Sequence, residues 1–574
     1  MNIKAPWLDF YGNIPKTLEY PDVSMFELIE MNAGQWPYMI AYSFEGRKKI
    51  YKDFLNDVHQ CAKGLASLGI KADDRVTICM PNTPQGVTTF YALNLIGAIP
   101  NMVHPLSAEG EIEFFLTTSK SKAILVLDAF YPKVKAVRDA CPDLETVIVA
   151  SIDTELSKVK ALGFKLTLGR KIPKIAKDEN IVRYTELMQR GLEFSGEYRV
   201  ARKGNDPAVI LYSGGTTGKM KGIVLTNMNF NALGLQTGYA GLRSRDDGTI
   251  MLTIMPMFHG FGLGVCIHTV LIFGGQCVLV PQFNVKTYAK LLKKAKPNYI
   301  AGVPTLFEAL LRSKKMKRVK LGHLKGVFSG GDSLSIELKK KVDKFLKDHG
   351  AQVQVREGYG TTECVTASCL TPHDLYKEGS IGIPFPDTFY KIVDPETCRE
   401  LPYGEEGEIC INGPSVMKEY LDEPEETANT LRKHEDGHVW LHTGDLGTMD
   451  KDGFVYFKQR LKRMIVSSGY SIYPSQIENI IDSHPDVLMS RVIGVPDPYK
   501  VQKVKAYIAL KPGVRPTDEI KDEIRRHCEK NVAKYAMPYD FEYRDSLPQT
   551  LVGKIAYTVL EEEARREIAQ DNIG

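Results

Sequence analysis

Short β-rich runs alternate with helical patterns through the first half of the chain, and this rhythm sets the narrowest limit on the folds open to it. Arg75-Val-Thr-Ile-Cys-Met80 precedes a helical segment from Pro84 to Ile96; Lys122-Ala-Ile-Leu-Val-Leu127 precedes one from Tyr131 to Ala140; Thr146-Val-Ile-Val-Ala150 follows. Strands taking turns with helices predict layered α/β structure with largely parallel strands. At 574 residues the chain exceeds what one core serves, so at least two domains are expected, the larger itself subdivided. No repeat at a solenoid period is evident.

The second half changes character. Met449-Asp-Lys-Asp-Gly-Phe-Val-Tyr-Phe457 reads as a hairpin turning at Asp452-Gly453. From about Met464 a compact α+β pattern begins: a strand to Ser468, a helix from Ser475 to Ser483, and strands near Val492 and from Lys505 to Leu510. A helix capped by Thr517 then places Ile520, Ile524, Cys528 and Val532 on one face. The expected division is 1–460 and 464–574, with Gln459-Arg-Leu-Lys-Arg463 as the junction.

Charge excludes little about fold but something about partners. With 74 Lys/Arg against 70 Asp/Glu, the balance is too even for nucleic acid to be the main partner. Ten cysteines occur without a C-x-x-C pair, and MNIKAPWLDF lacks the apolar centre of a signal peptide, so reduced thiols in a cytoplasm are expected. The most apolar stretch, Phe261 to Pro281, is interrupted at Gly274-Gly275 and reads as a buried helix followed by a strand, not a membrane span. Residues 157–177 carry seven Lys/Arg interleaved with Val159, Leu162, Phe164, Leu166, Leu168, Ile172 and Ile175, and no acid. Two readings stand: peripheral contact with an anionic lipid surface, or a solvated flank.

Four polar clusters resist explanation as packing. Tyr212-Ser-Gly-Gly-Thr-Thr-Gly-Lys-Met-Lys-Gly222 follows an apolar run with bare backbone amides, hydroxyls and lysines, a combination suited to phosphate. It departs from G-x-x-x-x-G-K-[ST], with Ser213 where a glycine belongs and Met220 where the metal-binding hydroxyl belongs, which disfavours a standard P-loop NTPase. Gly358-Tyr-Gly-Thr-Thr-Glu363 follows the β-like run Val353 to Val355 and offers an aromatic for a base and a carboxylate for Mg²⁺. Ser329-Gly-Gly-Asp-Ser-Leu334 closes another strand, and Trp440-Leu-His-Thr-Gly-Asp445 offers a carboxylate suited to ribose hydroxyls. Taken singly, each is as readily a turn or a cap.

Their order along the chain resembles the adenylate-forming superfamily, and within it the fatty acyl-CoA synthetases. YSGGTTGKMKG is similar to the family's phosphate loop, GYGTTE to its adenine and magnesium motif, WLHTGDLG to its ribose segment, DGFVYFKQRLKRMIVSSGYSIYP to its hinge, and PQTLVGKI to its C-terminal lysine motif. The resemblance implies a large N-terminal domain of layered α/β subdomains with a small mobile α+β C-terminal domain. It implies ATP, Mg²⁺ and coenzyme A as reactants, and a carboxylic acid, medium- or long-chain, as substrate. Thr216, Thr217, Gly218 and Lys221 would envelop the ATP phosphates, with Ser213, Gly214, Gly215, Gly360 and Thr361 in the same nucleotide-binding set. Gly330, Gly331 and Tyr359 would contact adenine, Thr362 the α-phosphate, Asp445 the ribose and Arg460 the ribose or phosphates. Glu363 with Thr216 would hold Mg²⁺, Lys554 would be the adenylation lysine, and Gly469 would line the pantetheine passage.

Some positions depart from the pattern. Met220 replaces proline, Gly215 a hydroxyl residue, Gln459 the hinge glycine and Arg463 the hinge aspartate. Asp332, where relatives carry alanine, either accepts from adenine or caps the next helix. His259, in Met255-Pro-Met-Phe-His-Gly-Phe-Gly262, either orients the acyl carboxylate or packs at a helix start. The acyl pocket is expected from the segment after this motif and from Gly302 to Leu310. An acceptor other than coenzyme A, a carrier-protein thiol or an amine, leaves the same acyl-adenylate, and a non-catalytic nucleotide- or lipid-binding scaffold is the remaining alternative.

Overall fold

The computed structural model describes residues 4–176, 180–214, 220–242, 248–463, 465–467, 470–472, 474–497, 500–550 and 554–571. The alternating runs enter a sheet in the order Glu419–Tyr420, Met220–Thr226, Pro207–Gly214, Ile99–Met102, Arg75–Cys79, Ala123–Leu127, Thr146–Ala150 and Val182–Arg183. From Pro207–Gly214 onward the neighbours are parallel, as helical crossovers require; the first two strands are antiparallel additions.

A second sheet runs in parallel through Val355–Tyr359, Gly326–Ser329, Tyr299–Gly302, Ile250–Thr253, Gln276–Leu279 and Ile40–Phe44. Helices Pro84–Leu95 and Asn227–Gly241 are buried on nearly all sides. A helix without a solvent face belongs between layers, and residues of both sheets and both helices join one core. Polar side chains join the two helices across this layer: Asn94 Nδ2 donates to Asn227 Oδ1 at 2.8 Å.

The strands Phe389–Val393, Gly407–Asn412, Val439–Met449, Leu431–Lys433 and Val455–Arg460 form an antiparallel third sheet. The hairpin turn falls where the sequence puts it, with Gly453 at φ +85°. The smaller C-terminal domain has its own sheet, in which Val501–Leu510 pairs antiparallel with Val487–Asp497 and parallel with Asp540–Arg544. Helix Pro474–Asp482 lies where one was expected, and Thr517 caps Asp518–Asn531.

Two local expectations need correction. The run after Gln354 continues as a strand to Tyr359, because Gly358 and Tyr359 pair with Leu370 and Cys369. Asp332 does not cap a helix: Ser335 does, its hydroxyl accepting from Leu338 N at 3.2 Å. The most apolar stretch becomes a π-helical segment Phe261–His268, a helix Thr269–Ile272 and a strand Gln276–Leu279. Among the described residues no helix is long and apolar enough to cross a membrane.

Candidate functional site

The phosphate-loop sequence spans two strands, not a strand and a helix. Ser213 pairs with Lys221 and Gly214 with Met220 across an antiparallel hairpin, so no helix N-terminus follows the loop as in a standard P-loop. Gly215, Thr216, Thr217 and Gly218 lie outside the described residues, as does Gly469. Lys221 ion-pairs with Glu426, its ammonium 5.2 Å from the centre of the Tyr420 ring. The Tyr420 hydroxyl donates to Glu363 Oε1 at 2.8 Å. Lys221, Tyr420, Glu426 and Glu363 are therefore one linked cluster at the mouth of the hairpin.

Glu363 sits in a single turn, Thr362–Cys364, whose shape is fixed on both sides. Val365 and Thr366 follow in the left-handed region, at φ 54° and 68°, and Thr366 N donates to Thr361 O at 2.7 Å. Gly360 allows this fold-back, since a Cβ there would lie 2.7 Å from Ala367 N. Carboxylate oxygens are the donors a hard divalent cation takes. A carboxylate has about four lone-pair sites, of which Tyr420 engages one, so Glu363 fits Mg²⁺.

Asp445 and Arg460 face each other across the hairpin strands, 3.4 Å from Oδ1 to Nε. The Tyr359 hydroxyl donates to Asp445 Oδ2 at 2.6 Å. Burial lifts the Asp445 carboxyl above the usual carboxylate range, with Arg460 the main opposing influence. Among the described residues Asp445 Oδ1 is buried without a hydrogen-bond partner. A buried acceptor that is near Arg460 Nε but without a hydrogen bond is what a vicinal diol satisfies.

Lys554 comes from the C-terminal domain and lies against the large one. Gly331, at φ +82°, closes the Gly326–Ser329 strand, and a Cβ on it would lie 3.3 Å from Lys554 Cε. Asp332 Oδ2 accepts from Ile555 N at 3.3 Å, tying the two domains beside the lysine. Burial holds Lys554 below the usual lysine range, against the pull of Asp332, Asp445 and Glu363. His259 Nδ1 accepts from Phe261 N at 3.2 Å, so the ring does pack at a helix start. Burial, and next the Lys554 ammonium, push its pKa down to about 3. A neutral imidazole accepting at Nδ1 carries its proton on Nε2 and is a donor there.

A cavity of about 460 Å³ collects these groups: His259, Gly330, Gly331, Tyr359, Gly360, Thr361, Thr362, Asp445, Arg460 and Lys554 all line it. Lys221 and Glu363 belong to the adjoining Tyr420 cluster and not to its wall. The inner end is formed by Thr237, Leu242, Met251, Val265, Thr269 and Phe328. Thr237 donates to Leu233 O, and its hydroxyl meets that of Thr269 at 2.6 Å, so both are already engaged. Burial pushes the Glu357 carboxyl, also on the wall, up to about 8, which leaves it uncharged at neutral pH. The expected contribution of Gly302–Leu310 is absent from this wall; helix Asn227–Gly241 supplies it instead, while Val303 packs behind Gly331.

Sequence reasoning missed Tyr420, Glu426 and Asn82. Asn82 Nδ2 donates to Thr253 O and Met255 O, and Oδ1 accepts from Met257 N at 2.8 Å, which holds the approach to His259. Asn82 falls between the Arg75–Met80 run and the helical segment from Pro84, and only a buried amide facing another strand reveals its work. Nothing in the composition around Tyr420 marks it.

Comparison with known proteins matches this chain to a family model described as AMP-binding enzyme over residues 29–421, and to one described as AMP-binding enzyme C-terminal domain over residues 476–554. A long-chain-fatty-acid–CoA ligase of Bacillus subtilis (strain 168) is 33% identical over 570 residues, covering 98% of this chain and 99% of the relative. One of Salmonella typhimurium is 31% identical, covering 99% of each. The crystal structure of ATP-bound MatB from Rhodopseudomonas palustris shares the fold, with a TM-score of 0.81, 24% identity, and coverage of 95% of this chain and 99% of that one.

Proposed function

Because the chain belongs to the AMP-binding enzyme family, we propose that it is an AMP-forming acyl-CoA ligase acting on long-chain fatty acids. The carboxylate attacks the α-phosphorus of ATP, the bond from the α-phosphorus to the α,β-bridging oxygen breaks, and pyrophosphate leaves with that oxygen. The coenzyme A thiol then loses its proton and attacks the acyl carbon, expelling AMP. Both half-reactions bring anions together, so the site must supply fixed positive charge and donors aimed at the transition state.

The observation that carries this reading is the meeting of Lys554 with Gly331, Asp445 and His259 in one cavity. Lys554 stabilises the charge built up between carboxylate and α-phosphate. Asp445 Oδ1 accepts from the ribose, Tyr359 and the Gly330-Gly331 edge take the base, and Arg460 and Thr362 take the phosphate side. Ser213, Gly214, Gly215, Thr216, Thr217, Gly218 and Lys221 enclose the β,γ end, with Gly360 and Thr361 shaping the floor. His259 donates from Nε2 to the acid. Glu363 with Thr216 would hold Mg²⁺, which supplies neutralising charge to the phosphates when bound. Residues 1–460 act as the nucleotide and acyl domain, and 464–574 as the mobile cap, with Gly469 on the pantetheine passage. The saturated hydroxyls and uncharged Glu357 around the inner cavity favour an aliphatic chain over a polar acid, since a polar tail needs matched buried partners.

Pyrophosphate release measured over acids of graded length, with and without coenzyme A, tests the proposal. Release that rises toward long chains, with acyl-CoA formed when coenzyme A is present, is expected. Release limited to short or aromatic acids, or none with any acid, sinks it.

A further inference from the structure

Away from the cavity, the antiparallel third sheet gathers two histidines and a cysteine from three separate segments. Cys398 Sγ and one nitrogen each of His434 and His442 lie within 4.8 Å of one another. The imidazoles meet through their Nε2 atoms, 2.9 Å apart. On its far side His442 Nδ1 contacts Glu408 Oε2 at 2.7 Å, and Glu408 Oε1 accepts from Gly444 N at 2.8 Å. With a carboxylate as its partner, Nδ1 carries the proton and Nε2 keeps its lone pair toward His434. That is how a carboxylate orients a metal-binding histidine from behind.

The other two groups are placed in a compatible way. His434 Nδ1 is buried with no hydrogen-bond partner among the described residues, so Nε2 is the nitrogen its surroundings engage. Cys398 is held at φ +59°, a region residues with a Cβ seldom adopt, and Cys398 N donates to Asp394 O at 2.9 Å. Arg432 Nη1 donates to Cys398 Sγ at 3.6 Å, the kind of contact that steadies a thiolate ligand.

We propose that Cys398, His434 and His442 form a binding site for a zinc-like divalent cation, with Glu408 orienting His442. Two imidazoles and one thiolate are the borderline-soft donors that zinc and cobalt take, and three protein ligands leave a fourth position for water. The site lies three residues before Asp445 on the Val439–Met449 strand, and Glu408 also holds Gly444 N. The cation therefore braces the turn presenting Asp445, without touching the nucleotide.

The test uses the full chain expressed without a histidine tag, stripped with a chelator, desalted, and titrated separately with Co²⁺ and Zn²⁺. One equivalent of each is expected to bind, with a thiolate-to-cobalt charge-transfer band in the near ultraviolet. Cys398→Ser should abolish that band, and His434→Gln should weaken binding by about tenfold or more. Zn²⁺ should raise the melting temperature of the wild type by more than that of either variant at the same concentration. If the wild type binds no stoichiometric metal, gives no thiolate band, or binds as tightly after both substitutions, the imidazoles share only a hydrogen bond and the proposal is wrong. Should either variant fail to fold by circular dichroism, the wild-type stoichiometry and spectrum still decide.

Discussion

Lys554 is half-buried where a charged amine is costly, between Gly331 and a set of carboxylates that partly compensate it. That placement has a purpose only if a larger anion arrives. Replacing Lys554 by alanine should lower pyrophosphate release by about 10²–10³-fold, the range for losing one preorganised transition-state donor. Conversion of a supplied acyl-adenylate to acyl-CoA should be nearly unchanged, because that step needs no charge at the α-phosphorus from this lysine. Equal loss in both steps would mean that the substitution acts on folding, and no loss in either would remove Lys554 from the chemistry. In the sequence this residue was legible only through the order of the motifs, since a lysine after glycine is ordinarily solvated. His259 shows a different case: the packing reading holds, because Nδ1 accepts from Phe261 N, and the ring also lines the cavity, where its proposed contact with the acyl carboxylate would be made.

At the level of elements, the layered strands were legible because buried parallel strands show as short apolar runs and their crossovers show helical spacing. The true end of Val355–Tyr359 was not, since Gly358-Tyr359 is kept extended by pairing with a strand outside the local pattern. The inner cavity wall escaped for a similar reason. Asn227–Gly241 is buried on nearly all sides, so its periodicity does not mark Thr237 or the following Leu242 as facing a ligand. The basic segment is the element whose two readings the fold sharpens. Helix Lys158–Leu166 exposes Val159, Leu162 and Leu166, at 83%, 61% and 54%, and Leu168 follows at 62%. Lys160 and Lys165 are occupied by Glu45 and Asp153, whereas Lys158, Arg170 and Lys171 add further positive charge beside this apolar face. We propose peripheral contact with anionic lipid through this face. The protein should sediment with phosphatidylglycerol vesicles and not with phosphatidylcholine vesicles. Val159→Asp with Leu162→Asp should weaken this by roughly 10²–10⁴-fold, given about 1.5–3 kcal/mol for each of the two buried aliphatic side chains. Sedimentation unaffected by both substitutions would assign the segment to a solvated flank.

Across the whole molecule, the small domain is seated with Lys554 lining the cavity, and in the proposed reaction it is released for the second acceptor to enter. Arg463 stacks on the Tyr557 ring, 3.4 Å from its centre, and ion-pairs with Glu478 at 3.3 Å. It therefore travels with the small domain, and the pivot lies upstream of it, toward Gln459. Asp332 is one of the large domain's holds on the seated arrangement: its Oδ2 accepts from Ile555 N, the residue next to Lys554, and its charge faces Arg463, Arg491 and Lys554. Hydrogen bonds to charged groups are worth about 1.5–3 kcal/mol. Asp332→Ala should accordingly slow adenylation by about tenfold to a hundredfold by depopulating the seated form, and should leave the KM for ATP little changed. Thioester formation from a supplied adenylate should hold steady or quicken, because that step draws on the released form. A parallel fall in both half-reactions, or a large rise in the KM for ATP with unchanged kcat, would place Asp332 on the nucleotide instead, and the domain contact would then be incidental to the catalytic cycle.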